Sequence, residues 1–286
     1  MPELPEVETV RKTLQELVVG KVIQRVEVRL ARLVRQPEVD AFSQALVGLC
    51  IEGVKRRGKY LLIDLPPLEL VVHLRMEGKF SLHPASDPEE KHVHVVFTFT
   101  DGMQLRYRDV RQFGTMDLIP QGDWSRVPSL VRLGPEPLSS EFTVETFCQK
   151  LKSHPRTAVK AALLNQEVVA GLGNIYADEA LYAAEIHPQR QVSGLRKREI
   201  ERLHAAIRHC LQQGVAAGGA TVRSYRNGLG AMGYFQLQIN VYGKKGEACP
   251  RCGRAIERIV VNGRGTHLCP RCQKAPRGNR RRQPLS

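Results

Sequence analysis

Val93-His-Val-Val-Phe-Thr-Phe-Thr100, then Asp101-Gly102, then Met103-Gln-Leu-Arg-Tyr-Arg108, is the stretch whose reading decides the fold. Branched and aromatic residues fill both arms, as strands prefer. An Asp-Gly pair between such arms marks a tight hairpin, because the turn that suits strand twist needs a positive φ, which glycine adopts without steric cost. The same signature continues upstream. Tyr60–Leu65 and Leu70–Leu74 are short strand-like runs, and Val26, Val28 and Leu30 alternate. Strands joined by close turns, with no helix between them, predict an antiparallel β-sandwich. Ahead of them, Val7, Val10, Leu14 and Leu17 fall at helical spacing, with Pro5 tolerable only in a first turn.

Downstream the periodicity breaks at Leu133-Gly-Pro-Glu-Pro-Leu-Ser-Ser140, which reads as a linker. The chain then turns helical. Gly171-Leu-Gly-Asn174 begins a helix over Ile175–Ala184, and Ser193 is placed to cap another whose Ile200, Leu203, Ile207 and Leu211 form one apolar stripe ending near Gly214. From Gln273 onward, Arg277, Arg280, Arg281 and Arg282 stand among Pro and Gly, a composition that predicts a disordered tail. There are no internal repeats.

Cys249-Pro-Arg-Cys252 and Cys269-Pro-Arg-Cys272 are two C-x₂-C knuckles separated by sixteen residues. That spacing suits a four-cysteine Zn²⁺ site, each knuckle offering two thiolates at the bite a tetrahedral ion needs. Between them, Ile259-Val-Val261 and Thr266-His-Leu268 flank Asn262-Gly263, so the module reads as a β-hairpin zinc finger. Four protein ligands leave no open position for water, which makes the metal structural. His267 is read as an ordinary hairpin residue. Cys50, Cys148 and Cys210 stand alone and read as small core residues.

The 286 residues exceed one comfortable domain, and 42% hydrophobic content is ample for real cores. The net charge is +14, with a pI near 9.7. From residue 243 to the end there are twelve Lys and Arg against two Glu, so +10 of that excess lies in the last 44 residues. Four thiolates on zinc would trim this by two. Such a balance points to a polyanionic partner, nucleic acid first among them. No apolar run is long enough for a bilayer, and Pro2, Glu3 and Glu6 occupy the place of a basic signal-peptide start, so a reducing cytosolic setting is expected, with thiols or metal ligands and no disulfides.

Met1-Pro2 is a sequence from which the initiator methionine is usually removed. The chain would then begin with a proline whose nitrogen is a secondary amine. An α-amino group is about 10% unprotonated at pH 7, against roughly 0.04% for a lysine. Attack by a secondary amine on a sugar carbon gives a cationic iminium directly, an electron sink for elimination. Glu3 and Glu6 follow, carboxyls able to move protons. The plainer alternative is that Pro2 and Pro5 start a helix whose dipole the acids complement.

Met1-Pro-Glu-Leu-Pro-Glu-Val-Glu-Thr-Val10 resembles the opening of bacterial formamidopyrimidine-DNA glycosylases, which excise 8-oxoguanine. The likeness continues nearly end to end. Arg56-Arg-Gly-Lys59-Tyr-Leu-Leu62, His73-Leu-Arg-Met76-Glu-Gly78 and Arg106-Tyr-Arg-Asp109-Val-Arg111-Gln-Phe113-Gly114 are similar to family blocks, as are Leu133-Gly-Pro-Glu-Pro-Leu138, Gly171-Leu-Gly-Asn174-Ile-Tyr176 and the closing finger. The resemblance implies an α+β, multidomain fold. It comprises an N-terminal antiparallel β-sandwich (1–133), a helical helix–two-turn–helix domain with a lesion loop (134–242), a C-terminal β-hairpin zinc finger (243–273) and a basic disordered tail (274–286).

The resemblance also implies a division of labour. Pro2 attacks C1′ of an oxidised purine nucleotide while Glu3 serves as acid and Glu6 supports proton traffic. A Schiff base forms, and β,δ-elimination cuts the strand. Lys59 matches the family lysine that binds phosphate and takes part in β-elimination. Arg264 matches the arginine that holds phosphate for δ-elimination, a task its always-charged fork suits. Met76, Arg111 and Phe113 match residues that fill the space a flipped base vacates. His92, His154, Lys160 and Asn174 match DNA contacts. Near 152–156, however, this chain reads Lys-Ser-His154-Pro-Arg156 where many relatives have a lysine run. Arg223 and Tyr225 fall in the glycine-rich stretch 218–235, which resembles a loop that closes over the base.

The expected partner is duplex DNA containing an oxidised purine, lying between the first two domains. The expected protein is a bacterial, cytoplasmic, nucleoid-associated monomer with one structural Zn²⁺. Two alternatives stand beside this reading. The related endonuclease VIII branch prefers oxidised pyrimidines and usually has glycine where Leu4 stands. A non-catalytic zinc-ribbon DNA binder would make no use of Pro2 and Glu3.

Overall fold

The Asp101-Gly102 turn folds as the sequence predicts. Gly102 takes φ +80°, and the turn joins β7 (Val93–Phe99) to β8 (Met103–Arg108) in antiparallel register. The computed structural model describes residues 1–219 and 239–276. Two compact units emerge: one holds Met1–Arg132 with 214–219, the other Leu133–Gln213 with 239–276.

In the first unit, β1 (Ile23–Val28), β7, β8 and β6 (Lys79–Pro84) form a four-stranded sheet in the order β1-β7-β8-β6. A second sheet has the order β2-β9-β5-β4-β3, from β2 (Val34–Gln36), β3 (Gly53–Arg57), β4 (Tyr60–Leu65), β5 (Leu68–His73) and β9 (Thr115–Pro120). Alternate residues meet between them: Leu61, Ile63, Leu65, Leu70, Val72, Met116 and Leu118 from one, Val95, Phe97, Phe99, Leu105 and Tyr107 from the other. The sandwich is thus as expected, with two local departures. The short β2 runs parallel to β9, and the helix α2 (Val39–Leu46) intervenes between strands and buries Phe42 and Leu46. Eight residues with two apolar anchors gave too weak a periodicity to be read as a helix.

The helix α1 (Leu4–Val18) packs on the same core through Val7, Val10, Leu14 and Val18. Leu17 packs against the same core half-buried, as its helical spacing predicts, and Val18 is buried beside it. The strand β4, between β5 and β3, is buried on both faces. Its outer face is covered by residues 124–131, where Ser129, in the short helix α3 (Pro128–Val131), accepts the Tyr60 hydroxyl and Trp124 Nε1 donates to Glu69.

The second unit holds α4 (Val144–Lys152), α5 (Val159–Leu164), α6 (Asn174–Ala183) and α7 (Lys197–Ala216), then the hairpin of β10 (Glu257–Val261) and β11 (Arg264–Leu268). The α7 stripe of Ile200, Leu203, Ile207 and Leu211 is buried as read from the sequence. Ser193 does not cap it. That residue lies in a separate 3₁₀ turn, and the Arg196 N–H ahead of α7 is taken by Glu199 Oε2 instead. The stretch 133–140 is tied down. Gly134 donates to Gln166 O, and a side chain at 134 would meet Glu167 O at 2.4 Å, so only glycine fits. Gln273 is buried and gives its side chain to Ile186 O and Cys269 N–H, so it closes the second knuckle and is not part of a tail. No helix among the described residues is long and apolar enough to cross a membrane.

Candidate functional site

In the first unit the start of α1 gathers the expected chemistry. Glu3 is the N-cap and Glu6 the N3 residue of a capping box, with the Glu3 N–H donating to Glu6 Oε2 at 2.8 Å. This arrangement draws both carboxyls inward: Glu3 is 3% and Glu6 2% exposed, and Pro2 is buried beside them. Acids at this position satisfy orphan helix donors. The α-amine, here on Met1, has its pKa held below the ordinary 8.0 chiefly by burial, against the opposing pull of Glu3 and Glu6 and with further lowering from Lys59 and Arg111. One amine, two acids and two cations therefore share one field.

Lys59 reaches this region from the two-residue turn between β3 and β4, where Arg57 pairs with Tyr60 and Gly58 takes φ +57°. Arg56 fixes the turn, donating to Gly58 O at 3.0 Å and to Glu8 Oε2 of α1 at 2.9 Å. Lys59 is 5% exposed. Neighbouring His73 is buried against Tyr60, and burial, with the charges of Arg75 and Lys59, drives its pKa down to about 3. It is a neutral imidazole whose Nδ1 accepts the Arg75 N–H.

Two loops carry the expected wedge residues. Met76 lies half-buried in the β5–β6 connection. Phe113 is 53% exposed, with Arg111 exposed beside it and its guanidinium carbon 5.1 Å from the ring centroid. Packing in the core does not account for Phe113. What holds this loop is Asp109, fully buried, whose carboxylate accepts N–H groups of Arg111, Phe113 and Gly114 at 2.8–3.1 Å. The Tyr107 hydroxyl stands between Gly78 and Gly114, where a Cβ would lie 2.2 and 1.7 Å from it. His92 immediately precedes β7, exposed and at φ +68°. Its carbonyl accepts the Asp109 N–H, while buried Arg106 holds the preceding loop through the Asp87 and Pro88 carbonyls. Asp109, Tyr107 and Arg106 were missed as site-builders, although all three lie in quoted blocks. Their role depends on partners distant in sequence.

In the second unit α5 and α6 are joined by two turns that Gln166 clasps: its Nε2 donates to Leu164 O and Leu172 O, and its Oε1 accepts the Gly171 N–H. Asn174 opens α6 and donates through Nδ2 to Gly265 O at 3.0 Å. His154 is half-buried, its Nε2 3.3 Å from Asn165 Nδ2. Lys160 departs from expectation. It is 0% exposed, and its ammonium is engaged by Gly265 O, Thr266 Oγ1 and Asp178 Oδ1, so its charge is not presented to a phosphate. The expectation rested on the family match alone, whereas α5 turns Lys160 onto β11. Arg264 is exposed and follows the Asn262-Gly263 turn, both residues of which have positive φ. Arg223 and Tyr225, with Thr221 and most of the loop 218–235, lie outside the described residues, as does the chain from 277.

The four knuckle thiols lie within 4.8 Å of one another. Cys249–Cys272 and Cys252–Cys269 are 3.9 and 3.5 Å apart at Sγ. Tetrahedral Zn²⁺ with ligands at about 2.3 Å sets its sulfurs about 3.8 Å apart, so the donors fit the ion. The Cys272 N–H on Cys269 Sγ and the Tyr182 hydroxyl near Cys249 Sγ complete the surroundings. His267 stays outside, its N–H on Asp178.

Comparison with known proteins completes the picture. Residues 1–116 match the family model of the formamidopyrimidine-DNA glycosylase N-terminal domain. Residues 133–226 match the corresponding H2TH domain, and residues 246–275 the zinc finger found in FPG and IleRS. A formamidopyrimidine-DNA glycosylase of Brevibacillus brevis is 54% identical, over 96% of this chain and 99% of its own. The Lactococcus lactis FPG complex with Fapy-dG-containing DNA has a TM-score of 0.88 at 42% identity, covering 96% of this chain and 100% of its own. The wild-type Lactococcus lactis FPG complex with DNA containing an oxidised pyrimidine gives 0.89 at 42%, with the same coverage.

Proposed function

The chain belongs to the formamidopyrimidine-DNA glycosylase family, base-excision-repair enzymes that are both DNA glycosylase and abasic-site lyase and carry one structural zinc, and from that premise we propose how its own residues divide the work. Removal of Met1 would hand the α-amine to Pro2. Its lone pair attacks C1′ of an oxidised purine nucleotide in duplex DNA, and the bond from C1′ to the base breaks; Glu3 gives its proton to the ring oxygen, and the proton shed by the amine goes to the departing base. Glu6 relays protons to that centre. Opening of the C1′–O4′ bond, as the nitrogen lone pair forms the C=N bond, leaves a cationic iminium on C1′. Abstraction of a C2′ proton expels the 3′ phosphate, and a second elimination through C4′ expels the 5′ phosphate, so a one-nucleotide gap bearing two phosphate ends remains. Water then hydrolyses the iminium and frees Pro2.

Lys59 and Arg264 serve the two eliminations as phosphate-binding cations, one as a point charge and one as a planar fork. Met76, Arg111 and Phe113 occupy the space of the extruded base, the guanidinium pairing with the orphaned cytosine. His92, His154 and Asn174 are assigned to the backbone, and Arg223 and Tyr225 to the loop over the lesion. Lys160 is assigned no contact. The proposed boundaries remain 1–133, 134–242, 243–273 and 274–286, and the proposed state is a cytoplasmic monomer acting at the nucleoid.

The observation that supports this reading above all is the burial of Pro2, Glu3 and Glu6 together at the start of α1, with Lys59 buried in the same unit. Borohydride added during turnover of an 8-oxoguanine:cytosine duplex should give a stable protein–DNA crosslink, and peptide mapping should place it at Pro2. A crosslink on a lysine with Pro2 unmodified overturns the assignment. Since a relative was solved with an oxidised pyrimidine, thymine glycol opposite adenine belongs in the same assay; faster excision of it would reassign the preferred lesion.

A further inference from the structure

Behind the hairpin that carries Arg264 lies a charged pair that no step above uses. Lys160 of α5 and Asp178 of α6 have side chains 0% exposed, with Nζ 2.6 Å from Asp178 Oδ1. A buried pair of this kind is weak evidence for stability, because apolar residues of similar size often do as well. Its contacts suggest another use. Among the described residues the hairpin β10–β11 has two strands only, so one edge of β11 has no strand partner there. In an antiparallel ladder alternate residues turn their N–H and C=O groups outward along such an edge. At this edge the groups are met by side chains. Gly265 O accepts from Lys160 Nζ at 3.1 Å and from Asn174 Nδ2 at 3.0 Å. The His267 N–H donates to Asp178 Oδ2 at 2.8 Å, and Lys160 Nζ also reaches Thr266 Oγ1 at 2.8 Å. Residues 265, 266 and 267 are thereby held in succession, immediately after Arg264.

We propose that Lys160 and Asp178 are positioning residues: together they take the place of a missing strand along β11 and fix the backbone from which the Arg264 guanidinium is presented to phosphate. Each needs the other. Lys160 alone would leave an uncompensated charge in the interior, and Asp178 alone likewise. The pair explains why a cation sits at position 160 yet is withheld from solvent. It acts on the cut through the hairpin, and touches neither DNA nor the reacting atoms. This inference rests on the assignment of δ-elimination to Arg264.

The test uses a full-length, zinc-loaded protein and an end-labelled duplex with a preformed abasic site, under single-turnover conditions. The readout is the ratio of δ- to β-elimination product, with zinc content and unfolding temperature measured alongside. Lys160→Met and Asp178→Asn should lower the ratio by about tenfold to a hundredfold, the loss typical of a group displaced by about 1 Å. Because either single change can unfold the unit, the double variant Lys160→Met/Asp178→Leu, which buries no charge, carries the decision. It should retain zinc and a normal unfolding temperature and still show the lowered ratio. An unchanged ratio in that folded double variant overturns the proposal. Arg264→Ala separates the two levels: if it leaves the ratio unchanged, the assignment of Arg264 fails and this inference with it. If it abolishes the δ product while the folded double variant keeps it, only the positioning role fails.

Discussion

The α-amine at the head of the chain is governed by three opposed influences. Burial and the cations Lys59 and Arg111 favour its neutral form; Glu3 and Glu6 favour its charged form. Burial is the largest, so the lone pair is free at lower pH than for an exposed terminus. For a Pro2 amine in the same field, the acid limb of covalent trapping on preformed abasic sites should accordingly lie below that of an exposed prolyl terminus. The direction of a change at Glu6 follows. Glu6→Gln removes a charge that stabilises the ammonium, so the limb should move to still lower pH, while glutamine preserves the N3 half of the capping box. A pH–trapping profile for the variant decides this, and a limb displaced upward would sink the electrostatic account. The same residues show how much a residue type alone conveys. Pro2, Glu3 and Glu6 were legible because their chemistry and adjacency are visible in sequence. The enclosure of Lys160 was not legible, because a side chain's exposure depends on what its helix packs against.

At the scale of elements, the loops that carry Met76 and Phe113 are built by contacts their own sequences do not display. Asp109 folds the β8–β9 loop around its carboxylate, and Tyr107 fits between the two loops only because residues 78 and 114 lack side chains. Gly114→Ala would place a methyl 1.7 Å from the Tyr107 oxygen. The expected cost is about 1–3 kcal/mol of stability, as for other overpacked interiors. Thermal unfolding should show a lowered midpoint for Gly114→Ala, partly restored by adding Tyr107→Phe, which removes the 1.7 Å contact but leaves the ring carbon at 2.8 Å. An unshifted midpoint would mean that the loops yield freely, and Tyr107 would then not be what sets them. Hairpins and stripes were readable from periodicity: the β7–β8 turn, the Asn262-Gly263 turn and the α7 face all follow from local rules. The helix α2, the parallel β2–β9 pairing and the true start of α7 were not: α2 is too short to show a period, the partner of β2 lies far along the chain, and Glu199 takes the capping role that Ser193 also offered.

For the whole molecule, zinc and net charge make separable demands. The finger's four thiols converge on a tetrahedral site, and Glu179 ties the entry to the finger onto α6 by accepting N–H groups of Asn240, Val241 and Tyr242. Chelation should therefore release one Zn²⁺ per chain and abolish duplex binding and strand cutting, since binding energy for a structural zinc is folding energy for its module. The chain's single tryptophan, Trp124, reports on the first unit, where its Nε1 is held by Glu69. Its emission should stay unchanged as zinc leaves. Full cutting by a metal-free protein would remove the finger from the mechanism.

The sequence by itself determined the strand and helix periods, the zinc ligands, the sign of the partner's charge and the reactive amine. These depend on residue type and short spacing, which a chain carries before it folds. Tertiary structure alone decided that Phe113 faces outward while Lys160 is enclosed, that Asp109 and Tyr107 build the wedge loops, and that helices supply the missing edge of β11. Those outcomes turn on which surfaces meet across long sequence separations, and on how a buried polar group finds its partner once water is gone.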